Sequence, residues 1–134
     1  MKTIKEGVIF ADDDPQSSTR VACFPSLARL SDGRILCTFR VGSTKESADE
    51  TVRIAESADE GRTWQLTSFQ PATDLNGVPG SLRFGHLIET KSNYLLLATT
   101  WVNREDPTLP VAHPETGGCL ELELVIFRST NGGQ

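Results

Sequence analysis

Apolar and polar residues alternate with a period of two along much of the chain. In LELELVIF, residues 120–127, Leu120, Leu122, Leu124 and Ile126 share one face, and Glu121 and Glu123 share the other. That is the pleat of a half-buried strand, with the leucine face turned inward. TVRIAES, residues 51–57, sets Val52 and Ile54 against Arg53 and Ala55. RILCTFR (34–40) and YLLLATTW (94–101) are apolar at nearly every position, as strands covered on both faces are. SDGR (31–34) and KSNY (91–94) carry the turn residues of hairpins. No segment places its apolar residues at helical spacing, so the pattern predicts an all-β chain.

The strands recur. PSLARLSDGRILCTF (25–39) aligns with GHLIETKSNYLLLAT (85–99) at an offset of 60. Leu27 then meets Leu87, and Ile35 and Leu36 meet Leu95 and Leu96. Gly33 meets Asn93, two residue types that tolerate a left-handed backbone. IAESADEGR (54–62) aligns with IFRSTNGGQ (126–134) at an offset of 72. The second unit is therefore longer by 72 − 60 = 12 residues, and the loop at 103–118, with three prolines and a closing Gly pair, is where they fit. A β unit of roughly 60–70 residues that repeats predicts propeller blades of four antiparallel strands. Blade one is expected over about residues 20–70 and blade two over about 82–134, in a single partial domain spanning 1–134.

Between two of these strands lies Ser57-Ala58-Asp59-Glu60-Gly61-Arg62-Thr63-Trp64. This spacing describes a self-sufficient turn. The Asp59 carboxylate can accept backbone N–H groups across the bend, and Gly61 can take a positive φ. Thr63 starts the next strand, and Trp64 can lay its ring over the turn as a lid. The segment resembles the Asp-box, or BNR repeat, of sialidases and related β-propellers. Ser129-Thr130-Asn131-Gly132-Gly133 resembles the same box with Asn in the Asp position, and reads as cut in mid-motif at Gln134. The resemblance implies a partial propeller from a six-bladed, sialidase-type parent. It also implies that Ser57, Asp59, Gly61, Thr63 and Trp64 are peripheral staples rather than catalytic groups.

The same resemblance locates candidate chemistry. Sialidase-like chains carry Arg-x-Pro ahead of Ser-Leu, Asp-Gly and a Leu pair. CFPSLARLSDGRIL (23–36) matches these parts except that Cys23 stands in the Arg position. The Arg of the family helps clamp a substrate carboxylate, for which a planar fork is suited and a thiol is not. Arg20, three residues upstream, and Arg83, opposite Cys23 in the repeat, are the substitute guanidiniums. Arg40 closes the second strand, and Asp49 follows in the loop at 41–50, in the order of the family's Arg and its general acid/base. A protonated Asp49 would help a glycosidic oxygen leave and then deprotonate water, which calls for a pKa raised by desolvation. Glu50 is the adjacent alternative acid, and a solvated acidic loop with Arg40 in a surface ion pair is the plain structural reading. The nucleophilic Tyr of the family is not expected within this chain, and Tyr94 reads as structural. His86 reads as a strand histidine or a sugar hydrogen-bonder in a central channel, and Asp12-Asp13-Asp14 as a solvated turn.

Composition narrows the partners. The 134 residues carry a net charge of −5 with acids and bases mixed, and 37% are hydrophobic. A packed core is affordable, and no basic stripe invites nucleic acid or an anionic membrane surface. Cys23, Cys37 and Cys119 have neither disulfide nor zinc spacing, so no metal and no cofactor are expected. MKTIKEGVIF has no signal-peptide core, which implies a cytoplasmic protein if Met1 is the true start. The expectation is a sialidase-like, exo-acting glycoside hydrolase segment that is inactive alone. The other reading is a non-catalytic propeller that binds glycan or protein. Two blades would leave strand edges open, so self-association through those edges is also expected.

Overall fold

The computed structural model describes residues 6–12, 14, 16–19, 21–92 and 94–130. Among these there are strands and turns and no helix. The strands are β1 (Val21–Arg29), β2 (Ile35–Gly42), β3 (Thr51–Ser57), β4 (Gln65–Leu66), β5 (Gly80–Glu89), β6 (Leu95–Asn103) and β7 (Leu122–Ser129). They form two antiparallel meanders, β1-β2-β3-β4 and β5-β6-β7. The second carries three strands among the described residues. Asn131, Gly132 and Gly133, half of the second predicted turn, lie outside the described residues, as do Asp13, Arg20 and Asn93.

The two sheets share a register. Ile35 faces Ser57 in the first, and Leu95 faces Ser129 in the second. Both opening strands are also interrupted at one place, where the register shifts between Cys23 and Ser26 and again between Arg83 and Gly85. Phe24 and Phe84 sit in these bulges with φ of 56° and 57°, a left-handed conformation uncommon for a non-glycine residue. Gly85, next to one bulge, has no room for a side chain, because a Cβ there would come within 2.9 Å of Val52.

The main core lies between the sheets. Leu36, Val52 and Ile54 of the first pack with Leu82, Leu87, Leu95, Leu97 and Trp101 of the second. The opposite face of the first sheet holds a smaller core of Cys37, Phe39, Val41 and Ala55, covered by Ile9, Phe10 and Trp64. β2 is thus apolar on both faces because both are covered, as its sequence predicts. β7 departs from its pattern: Leu122, Leu124 and Ile126 are exposed, and Val125 and Phe127 pack toward the core. The alternation is real, but the face with more leucines has no neighbouring sheet among the described residues.

Candidate functional site

The turn after β3 is closed by its own side chains. Both oxygens of Asp59 are engaged: Oδ1 accepts the N–H groups of Arg62 (2.9 Å) and Thr63 (2.8 Å) and the Ser57 hydroxyl (2.9 Å), and Oδ2 accepts the Thr63 hydroxyl (2.7 Å). The Gly61 N–H donates to Ser57 Oγ at 2.8 Å, and Gly61 has φ +83°. Trp64 donates its indole N–H to the Gly61 carbonyl at 3.2 Å. Its ring is half-buried rather than sealed, since the second core reaches only one side of it. The backbone and side-chain bonds from Thr63 hold the Asp59 pKa down to about 2, from an ordinary 3.8. All of these Asp59 bonds are made within its own bend.

A second polar cluster bridges the two sheets. Glu50, at the end of the loop between β2 and β3, is fully buried, and three guanidiniums converge on it. Arg40 Nη1 lies 2.9 Å from Oε2; Arg83 Nε at 3.2 Å and Arg104 Nη2 at 3.3 Å reach Oε1. Burial pushes the Glu50 carboxyl upward in pKa, against the pull of the Arg40, Arg83 and Arg104 charges. The Glu50 carbonyl also accepts the Leu82 N–H at 3.1 Å, so backbone and side chain both tie the loop to β5.

The three arginines are not equally free. Arg40 is 1% exposed and also donates to the Lys45 carbonyl and to Cys23 Sγ, the latter at 3.6 Å. Cys23, standing where the resemblance puts a clamping Arg, is thus a wall of the Arg40 pocket. Arg104 donates to Ser81 Oγ at 2.9 Å and to the Leu109 carbonyl at 3.2 Å. Arg83 is 10% exposed, and its outer nitrogen meets the half-exposed Glu46 at 3.4 Å. Above them, Phe24 and Phe84 meet edge to face at 5.1 Å, with the Arg40 guanidinium 4.7 Å from the Phe24 ring centre. Both rings owe their position to the two bulges.

Asp49 is beside this cluster in sequence but turned away from it. Its oxygens accept the Ser43 N–H at 3.1 and 3.2 Å and the Ser43 hydroxyl at 3.0 Å. Partial burial raises its pKa, but hydrogen bonds from Ser47 and Ser43 outweigh that, and the net shift is downward. This is opposite in direction to what a general acid requires. Of the residues singled out by sequence, Arg40, Arg83 and Glu50 come together, Asp49 stands at the rim, and Arg20 lies outside the described residues. Arg104 was missed; it is 54 residues from Glu50, and no local spacing signals such a partner. His86 is exposed on β5 opposite Ala98. Tyr94 carries the Arg128 guanidinium 3.9 Å over its ring. Asp12 and Asp14 bond within their own turn, and no group of metal-ligating side chains occurs among the described residues.

No family model and no curated protein sequence matches the chain. Its structure is similar to that of the Hadza microbial sialidase Hz136, with a TM-score of 0.62 and 17% identity, over 84% of this chain and 24% of that one. The chain thus spans about a quarter of the length of that structure. At this identity the likeness is one of fold: the two sheets are part of a sialidase-like, all-β propeller.

Proposed function

We propose that the chain is the N-terminal part of a sialidase-like, glycan-acting propeller, and that it turns over no substrate by itself. The reading is supported by the shared fold, together with the meeting of Arg40 and Arg83 beside the Asp49 loop at one end of the adjoining sheets. In this reading Arg83 is the fork that meets an anionic sugar. It is the most exposed of the three arginines, and its outer contact, Glu46, is more than half exposed and easily displaced. Arg40 and Arg104 hold the fork in place through Glu50. Asp49 serves as general acid and base: its protonated carboxyl gives a proton to the glycosidic oxygen, and its carboxylate then takes one from water. A glycan lying over the loop would displace the Ser43 bonds and desolvate the group, moving its pKa upward.

A second reading, a propeller that binds glycan without cleaving it, is favoured by Cys23 in place of the clamping Arg and by the downward shift at Asp49. An NMR titration of the isotopically labelled chain with N-acetylneuraminic acid and, separately, with galactose tests both. The glycosidase reading predicts amide shifts at 83–85 and 43–50 for the acidic sugar alone. Equal shifts with galactose would favour the non-catalytic reading, and no shift with either sugar would overturn both.

A further inference from the structure

Among the described residues, four that are not glycine have a positive φ: Phe24, Glu60, Asn76 and Phe84. Glu60 and Asn76 lie in turns, where that conformation is ordinary. Phe24 and Phe84 lie inside strands, at matching places in the two sheets, where the register of β1 and of β5 shifts. A bulky side chain in the left-handed region is strained, and such strain gathers at active sites and ligand clamps.

The bulges turn the two rings outward. Phe24 is 41% exposed and Phe84 38%, whereas Phe39 is buried and Phe10, Phe69 and Phe127 are partly so. The two rings meet at 5.1 Å with 67° between their planes, so they form the walls of a notch rather than one flat patch. Charge adjoins both walls: the Arg40 guanidinium is 4.7 Å from the Phe24 ring centre, and that of Arg83 is 5.6 Å from the Phe84 ring centre. β1 and β5 are edge strands of their sheets. The two sheets bury each other through their faces, and a further sheet stacked in the same way would cover a face and leave this edge open.

A pyranose ring is polar around its rim and apolar where its C–H groups line a face. Those C–H groups suit the electron-rich face of an aromatic ring, and a carboxylate on the same ring suits a guanidinium fork. A small carboxylate would use the arginine alone, and a neutral sugar the rings alone. Rings at 67° leave no parallel slot for a flat base. We propose that Phe24 and Phe84 form a binding subsite that takes the apolar face of a pyranose ring whose carboxylate meets Arg83. The inference rests on Arg83 as the fork for an anionic sugar, and it adds the two side chains that read the sugar ring itself.

An NMR titration of the labelled chain, read at the phenylalanine rings and the Arg83 guanidinium, tests it with N-acetylneuraminic acid, acetate and uridine monophosphate. The sugar acid is expected to shift Phe24, Phe84 and Arg83 together and to leave Phe39 and Phe127 in place, and acetate to shift Arg83 alone. Phe24→Leu and Phe84→Leu keep apolar bulk over the arginines, and their melting points verify folding. Each should weaken binding of the sugar acid roughly fivefold and leave that of acetate unchanged. Should a variant fail to fold, the wild-type ring shifts decide. Arg83 shifts without ring shifts would overturn the subsite and leave the fork standing; no shift at either would overturn both. Ring shifts as large with uridine monophosphate would also overturn the proposal, since the notch would then stack rings of any kind.

Discussion

Val52 and Ile54 in β3 and Leu124 and Ile126 in β7 occupy the same register in their sheets, and both pairs are aliphatic. The first pair is sealed; the second is among the most exposed in the chain. The cause of the difference lies outside the strands themselves. β5 lies across the β3 pair, and nothing among the described residues lies across the β7 pair. A period-two pattern reports which residues share a face; the neighbouring sheet decides whether that face is wet. The same contrast holds for charge. At the covered interface four charged side chains are drawn together, whereas on the open face His86 stands beside Ala98 and Arg128 opposite Leu96, both exposed.

The contrast is broken most severely at Glu50. Glu50→Gln leaves three buried guanidiniums without their anion, and removing one partner of a buried pair costs about 3–5 kcal/mol. Urea unfolding should show that loss, and a midpoint equal to wild type would mean that the arginines are not held by Glu50. Next comes the matched pair of truncations. Ile54→Ala should cost about 2–4 kcal/mol through lost burial and a cavity, and Ile126→Ala in dilute solution less than ~0.5 kcal/mol. Equal losses would erase the distinction between the faces. Trp64→Ala should follow at roughly 1.5–3 kcal/mol, below the cost of a fully buried aromatic, because the ring has one wet side.

Acid sharpens the turn rather than the core. The folded pKa of Asp59, about 2, lies below its ordinary 3.8. Its contribution is therefore present above about pH 4 and is lost as pH falls through about 2. In Asp59→Asn that part of the acid dependence should vanish, which paired wild-type and variant melts between pH 2 and 5 would detect. An acid profile unchanged by the substitution would remove Asp59 from the turn's electrostatics.

Much of this was legible in the sequence, because strand periodicity and turn chemistry are local. TVRIAES becomes β3 residue for residue, and the Ser57–Trp64 spacing describes a turn whose bonds need nothing beyond eight residues. The offsets of 60 and 72 place Ile35 and Leu95 opposite Ser57 and Ser129 in the two sheets. What escaped depends on three dimensions. Nothing near Phe24 or Phe84 announces a left-handed bulge, since the strain is held by the packing of the opening strands. Arg104 meets Glu50 only because the end of β6, the middle strand of the second sheet, is brought against the loop before β3. The half-buried state of β7 was expected from a pattern that cannot say whether a neighbour is there.

Accessibility of two matched positions bears most directly on the account. In a background with Cys23, Cys37 and Cys119 replaced, Ile54→Cys and Ile126→Cys would be labelled with a thiol reagent under native conditions. The account predicts rapid labelling at 126 and protection at 54 until the chain unfolds. Labelling at 54 as fast as at 126 in the native state would contradict it.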